Sequence, residues 1–125
     1  MTTLTRSHDA PTFELPGLSF TGMASPSRGS AGLCTWRLTL KAGLASPEPH
    51  TLDRDEVFMV ITGAIVLQPD GEPVAAGDVA VVPAGQPIQV ANVGEGDAEV
   101  IVAITAGFTA SAADGTPIGT PPWAV

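Results

Sequence analysis

Short apolar segments closed by glycine or proline follow one another along most of this chain, and this punctuation constrains its fold more than any other feature. The 125 residues include 14 glycines and 12 prolines, which are spread between the apolar segments instead of forming one block. No segment shows a helical period with caps. Many short strands separated by turns are typical of a sandwich or barrel. The sequence therefore predicts an all-β fold with a single domain over residues 1–125.

The clearest strand is the segment from Cys34 to Lys41, in which apolar and polar residues alternate. Such a period of two indicates a half-buried strand. Further strands are predicted at residues 56–62, 64–67, 79–82, 88–93 and 99–106.

The two ends of the chain have different patterns. Residues 1–11 are polar and are predicted to form a flexible arm, residues 13–20 a short edge strand or arm, and residues 22–32 a loop. The tail at 110–125 contains three prolines and Trp123. We expect this tail to be extended and to dock Trp123 against the barrel or a second subunit.

The charge of the chain excludes several classes of partner. Thirteen acidic residues against five basic ones give a formal net charge of −8. A chain without a basic patch is not expected to bind nucleic acid or anionic membranes. The single cysteine, Cys34, cannot form an intrachain disulfide and is predicted to be a buried small hydrophobe. No apolar run has the length of a signal peptide core or of a membrane span, so a cytoplasmic location is expected.

A spaced motif, G-D-V-A-V-V-P-A-G-Q-P-I-Q-V-A-N, begins at Gly77 and ends at Asn92. It resembles the second motif of the cupin family, G-x5-P-x-G-x2-H-x3-N, since Gly77, Pro83, Gly85 and Asn92 stand at the spacings of that motif. Ile88 stands where metal-binding cupins have a ligand histidine. The resemblance implies a cupin-type double-stranded β-helix, which is a jelly-roll-like barrel of two antiparallel sheets, and a homodimer. The arm at 13–20 and the Trp123 tail are candidates for the dimer interface.

Residues 43–63 resemble the first cupin motif, G-x5-H-x-H-x(3,4)-E-x6-G. Glu56 and Gly63 match its end, and His50 falls at its first histidine, which places Leu52 at the second. Both motifs therefore lie within residues 43–92. Relative to metal-binding cupins, two of the four usual ligands are replaced by hydrocarbon at Leu52 and Ile88, while His50 and Glu56 remain.

The two retained ligands leave the question of a metal open. Catalytic metal sites usually supply three protein ligands, so no cofactor is expected. The alternative is a shifted register. Because Glu48 and His50 are also two residues apart, Glu48, His50 and Glu56 could together hold a divalent metal such as Fe, Mn, Zn or Ni.

His50 and Glu56 are also the candidate catalytic residues. A histidine with its ordinary pKa of about 6.5 suits a general base at neutral pH. Glu56 beside an apolar pocket would have a raised pKa and would act as the acid partner. The structural alternatives are a histidine that caps a strand end and a buried carboxylate paired with His50 or Arg37.

Trp36, Leu52, Phe58 and Ile88 are predicted to face one cavity, either as core packing or as an apolar pocket for a small organic ligand. The sequence favours a small cupin protein that binds such a ligand without a full metal site. One alternative is a cupin enzyme, either oxygenase-like and metal-dependent or a metal-independent isomerase, cyclase or lyase that uses His50 and Glu56. A third possibility is an interaction protein with a vestigial pocket. Fold alone does not decide between them.

Overall fold

A computed structural model describes all 125 residues, which form twelve strands and two three-residue 3-10 helices. The strands are β1 (Thr12–Leu15), β2 (Leu18–Ala24), β3 (Leu33–Leu40), β4 (His50–Leu52), β5 (Glu56–Thr62), β6 (Ala64–Val66), β7 (Val74–Ala75), β8 (Val79–Val82), β9 (Ala91–Asn92), β10 (Ala98–Thr105), β11 (Ala110–Ala112) and β12 (Pro117–Gly119). The predicted all-β class is confirmed. Neither helix, Pro26–Arg28 or Pro122–Ala124, approaches the length and apolar character needed to cross a membrane.

The larger sheet has six antiparallel strands in the order β1-β2-β3-β10-β5-β8. At its centre β3 pairs with β10 along its whole length, so that Trp36 lies opposite Val102. The alternation predicted for β3 is present, because Cys34, Trp36, Leu38 and Leu40 are all buried. This sheet supplies one wall of the barrel.

The opposite wall consists of two three-stranded sheets, β12-β11-β4 and β7-β6-β9. Isolated bridges join them, since Ala45 pairs with Ala91 and His50 pairs with Ile88. The strand predicted at residues 88–93 is shorter than expected because its backbone changes neighbours along its length. It bonds to His50 at one end and to β6 at the other.

Buried side chains from both walls form one core, which includes Cys34 with no exposed surface. The Cys34 Sγ lies 3.3 Å from the Ala124 carbonyl oxygen, to which it donates a hydrogen bond. Burial also raises the pKa of this thiol. Cys34 is therefore the small buried hydrophobe that the sequence predicted.

The N-terminal segment pairs as a hairpin, with β1 at the edge of the large sheet. The loop expected from residue 22 begins later, because β2 continues to Ala24 after a register shift in its pairing with β3. A 3-10 helix, Pro26–Arg28, then turns the chain. The predicted edge strand at 13–20 is thus correct in kind, but it consists of two strands.

The C-terminal tail docks against the barrel of its own chain. The Trp123 ring stacks on Phe20 with ring centroids 3.8 Å apart, and Phe13 lies 6.2 Å from the same ring. Arg28 Nη2 donates a hydrogen bond of 2.8 Å to the Trp123 carbonyl oxygen. Docking of Trp123 on the barrel is confirmed, and these aromatic groups contact one another within one chain. A homodimer stays a prediction.

Turns of the second motif have the conformations that its residues predict. Gly85 has a φ of 83°, in the left-handed region that side chains disfavour. Asn92 is 5% exposed. Its Nδ2 donates hydrogen bonds of 3.1 Å to Leu40 O and 2.9 Å to Gly96 O, and its Oδ1 accepts one of 2.9 Å from Gly94 N. Asn92 therefore ties β9 to β3 and closes the loop that follows it.

Replacing Asn92 by alanine is expected to lower the free energy of unfolding by roughly 2 kcal/mol, because buried backbone groups lose their partners. Urea denaturation measures the loss. Val93→Ala, at a half-exposed side chain next to it, is the control and should change the value by less than about 0.5 kcal/mol. Equal effects of the two substitutions would contradict the structural role of Asn92.

Candidate functional site

The candidate site is a cavity of about 420 Å³ between the two walls of the barrel. Strand β5 contributes Glu56 and Phe58, which are two residues apart and therefore point to the same side of the sheet. On the opposite wall, β4 contributes His50 and Leu52 by the same rule. Trp36 reaches the cavity from β3.

Aromatic side chains are concentrated at this cavity. The chain has six aromatic residues, and five of them line it: Phe20, Trp36, Phe58, Phe108 and Trp123. The rings of Phe20 and Trp123 are nearly parallel, at 6° to each other, whereas those of Trp36 and Phe108 are 6.0 Å apart and inclined by 29°. The walls are therefore aromatic and apolar over much of their area.

Glu56 is the ionisable group most affected by this environment. Glu56 is only 3% exposed, and its Oε1 has no hydrogen-bond partner. Removal from water disfavours the charged form of a carboxyl group. Burial accordingly raises the pKa of Glu56 from its ordinary value of 4.5 to about 8. The raised pKa expected from the sequence agrees with this result.

Glu56 does not form the ion pair that the structural alternative required. Arg37 lies on the outward face of β3, where its Nε is 3.1 Å from Glu99 Oε1. No ion pair joins Glu56 to His50 either. The carboxyl group thus faces the cavity without a charged partner.

His50 is half-buried and shares this cavity with Glu56. Its backbone exchanges two hydrogen bonds with Ile88, of 3.0 and 2.8 Å, which fixes the position of β4. Burial lowers the pKa of His50, because the imidazolium form loses hydration. At neutral pH the cavity therefore holds a neutral imidazole and a largely protonated carboxyl group.

The residues present do not fit a metal ion held by the protein. The positions of two histidine ligands carry Leu52 and Ile88, which are 5% and 1% exposed and offer no donor atom. No three histidine, cysteine, aspartate or glutamate side chains lie close enough to share an ion. The shifted set of Glu48, His50 and Glu56 is therefore not assembled, although all three line the cavity.

The predicted pocket residues fall into two groups. All four residues belong to the core, but only Trp36, Leu52 and Phe58 also line the cavity, whereas Ile88 does not. Ile88 was placed at the cavity because its motif position normally carries a ligand. Its side chain is on the same side of the wall as that of His50, with which it is paired, but it is only 1% exposed and does not reach the cavity.

Several lining residues were missed from the sequence. Phe108 follows β10 and lies outside both motifs, and Ser46 precedes β4 at a position that the first motif leaves unspecified. The sequence offered no signal that Phe108 lines the cavity. Trp123 was recognised as a docking residue but not as part of the cavity.

A larger and more open depression, of about 830 Å³, lies beside β7 and β8. Its acidic residues, Glu72 and Asp78, are exposed to solvent. It contains no buried ionisable group, whereas the smaller cavity contains Glu56. The smaller cavity is therefore the better candidate site.

Comparison with known proteins supports the same architecture. The family model described as Cupin domain matches residues 36–104, more than half of the chain. No curated protein matches the chain.

Three solved structures illustrate the similarity. KdgF from Halomonas sp. is 19% identical, with a TM-score of 0.71, and the match covers 84% of this chain and 94% of that one. The polyketide cyclase RemF from Streptomyces resistomycificus is 16% identical, with a TM-score of 0.72, over 84% of this chain and 80% of that one. A cupin-superfamily sugar phosphate isomerase from Silicibacter pomeroyi is 29% identical, with a TM-score of 0.66, over 79% of this chain and 67% of that one. The first two similarities show the fold alone.

Proposed function

This chain belongs to the cupin family, and we propose that it binds a small organic molecule in the barrel cavity without a metal ion held by the protein. The observation that carries the proposal is the Glu56 carboxyl group, which is buried and has an unpartnered oxygen at an aromatic cavity. A buried polar atom without a partner is costly, and in a binding site a ligand can supply the missing partner.

The dimensions and composition of the cavity support this function. A volume of about 420 Å³ lies within the range of small-molecule sites, which combine apolar walls with a few polar groups. Exposed residues such as Leu15, Pro47 and Ile118 are part of the lining, so the cavity reaches the surface. It is thus open to a ligand and is not filled by side chains, as a vestigial pocket would be.

A thermal-shift screen of small aromatic and aliphatic molecules tests the proposal. A ligand at a hundred times its dissociation constant is expected to stabilise the protein by about 2.7 kcal/mol and to raise its melting temperature. Ala110→Leu, which places a larger side chain at the cavity wall, should abolish the shift. Ala76→Leu makes the same substitution at an exposed position and should preserve it.

Circular dichroism checks that the Ala110→Leu variant, in which the added side chain fills part of the cavity, still folds. Ala112→Leu provides a second filled variant at the same wall. Binding that persists in both filled variants would place the ligand elsewhere. A screen without any stabilising compound would contradict the proposed function.

An acid–base enzyme is the second candidate, and the opposite pKa shifts of the two cavity residues favour it. Glu56 has a raised pKa and His50 a lowered one, which is the arrangement that lets one group donate a proton while the other accepts one. His50 would remove a proton from a bound substrate and Glu56 would return one at another atom, which isomerises the substrate. Solvent would then carry the proton from His50 back to Glu56.

The isomerase and cyclase among the structural neighbours are consistent with such a reaction. The test is incorporation of deuterium from D2O into a bound ligand, followed by NMR. His50→Gln and Glu56→Gln should each abolish it if the pair is catalytic. Binding without exchange in the unsubstituted protein would leave the cavity as a binding site only. The metal-dependent oxygenase alternative is not proposed, because the donor set does not fit.

A further inference from the structure

The polar atoms of the cavity define the chemical class of its ligand, an inference that rests on the proposed binding function. Three lining residues carry buried polar atoms without hydrogen-bond partners: Glu56 Oε1, Trp123 Nε1 and Ser46 Oγ. An indole N–H can only donate a hydrogen bond. A ligand that satisfies Trp123 must therefore present an acceptor atom there.

The lining contains no lysine or arginine. Arg28 donates a hydrogen bond to the Trp123 carbonyl oxygen but is not part of the lining. The titratable groups that do line the cavity are Glu48, His50 and Glu56. An organic anion would lose its hydration without gaining a counter-ion, and transfer of an unpaired charge into such surroundings is strongly unfavourable.

An organic cation fits less well than a neutral molecule. Aromatic walls and a carboxylate would attract it, but the Trp123 N–H would then face a positive group and stay unsatisfied. A neutral oxygen acceptor satisfies that donor, and its flat ring would stack on the aromatic walls. A protonated Glu56 supplies a further O–H donor, consistent with the effect of burial on its pKa.

We propose that the cavity selects its ligand by charge, accepting uncharged, flat organic molecules that carry an oxygen acceptor and rejecting organic anions of the same shape. Trp123, Ser46 and the protonated Glu56 are the groups that bind the oxygen atoms. The aromatic side chains, among them Phe20 and Trp36, hold the ring.

Three naphthalene derivatives of similar shape test this selectivity: 2-acetylnaphthalene, which is a neutral ketone, 2-naphthoate, which is an anion, and 2-(aminomethyl)naphthalene, which is a cation. Calorimetric titration at pH 7 is expected to show at least roughly tenfold tighter binding of the ketone than of either charged probe, about the effect of one charged or hydrogen-bonded contact. Equal or tighter binding of the anion would overturn the proposal, and so would tighter binding of the cation.

Two variants test the named donors. Trp123→Phe keeps a ring but removes the N–H, so ketone binding should weaken roughly three- to tenfold, while binding of unsubstituted naphthalene should stay the same. A loss for both compounds would mean that Trp123 acts by packing alone and would overturn its role as donor.

For the unsubstituted protein, ketone affinity should fall as the pH rises above about 8, where Glu56 loses its proton. This decrease should be absent in Glu56→Gln, whose amide N–H donor does not titrate in this range. A decrease that persists in Glu56→Gln would overturn the donor role of Glu56. If none of the probes binds although the thermal-shift screen yields ligands, the ligand class is wrong and the binding function stands. If the screen fails as well, the function itself is contradicted.

Discussion

Glu56→Gln is expected to make the protein more stable than the unsubstituted chain at pH 8, by on the order of 4 kcal/mol, while changing little at pH 4.5. The reason is the buried carboxyl group, whose pKa is raised from 4.5 to about 8 in the folded protein. Each pKa unit corresponds to about 1.4 kcal/mol of difference between the two protonation states. Glutamine has nearly the same shape, and its amide does not ionise, so its burial adds no pH-dependent term to the free energy of unfolding.

The pH dependence follows from proton binding in the two states. Between pH 4.5 and about 8 the unfolded chain has lost the Glu56 proton, whereas the folded chain retains it. Because the folded state binds more protons in this window, the free energy of unfolding falls as the pH rises. His50 acts in the opposite direction at lower pH, since its pKa is lowered by burial and its protonation favours the unfolded chain.

Urea denaturation of both proteins from pH 4.5 to pH 8.5 measures the effect, and the difference between them isolates Glu56 from the other titrating groups. Glu95→Gln, which removes an exposed carboxylate from a loop, is the matched control and should leave the pH dependence unchanged. Parallel curves for the unsubstituted chain and Glu56→Gln would show that the carboxyl group is hydrated in solution.

Period-two alternation and turn residues predicted the long strands of this barrel, whereas the short strands β4, β7, β11 and β12 were not among the predictions. The strand from Glu56 to Thr62 has the same bounds in the structure, and β3 differs from its prediction by one residue at each end. These strands are long, and each has one buried face, so their pattern is decided locally. The hydrogen bonds of Asn92 are decided only in part locally, because two of them close the loop that follows it, whereas the third reaches Leu40 in β3.

The site was only partly predictable, because its geometry depends on contacts distant in sequence. Residues two apart on one strand, such as His50 and Leu52, could be placed on a shared face. Trp123 could not be placed in the cavity, since it arrives there through contacts with Phe20 and Arg28 that lie about a hundred positions away. Ile88 shows a second reason. Its position in the motif indicates that the side chain points inward, but not whether it reaches the cavity surface.

The raised pKa of Glu56 was predicted for the correct reason, namely an apolar environment. The sequence left open whether Arg37 would neutralise the carboxylate, because alternation within one strand does not show which side chains of other strands lie around it. The structure answers this through pairing. Arg37 lies opposite Thr21 and Ile101 on the outward face of the large sheet, so its guanidinium group cannot enter the cavity.

Leu52→His combined with Ile88→His is expected to create a metal site with four protein ligands. His50 and Leu52 are two apart on β4, and Ile88 is paired with His50 across the bridge, so all three side chains lie on the inward face. With Glu56 they would supply three imidazoles and one carboxylate, a donor set that suits Zn²⁺ or Co²⁺. Without metal the double variant should be less stable than the parent, since each added imidazole is buried without a partner, at a cost of roughly 1–3 kcal/mol.

Cobalt provides the measurement, because its visible absorption reports ligand number and geometry directly. The double variant should bind one Co²⁺ ion, and at a hundred times the dissociation constant the metal should stabilise it by about 2.7 kcal/mol. Leu52→Gln combined with Ile88→Gln buries polar groups at the same positions without adding imidazole, so cobalt should not stabilise it. If the two double variants respond alike, the cavity walls are not arranged to share an ion, and the prediction is wrong. If only the histidine variant responds, these two hydrocarbon side chains separate a metal-binding barrel from the apolar, carboxyl-lined cavity of this protein.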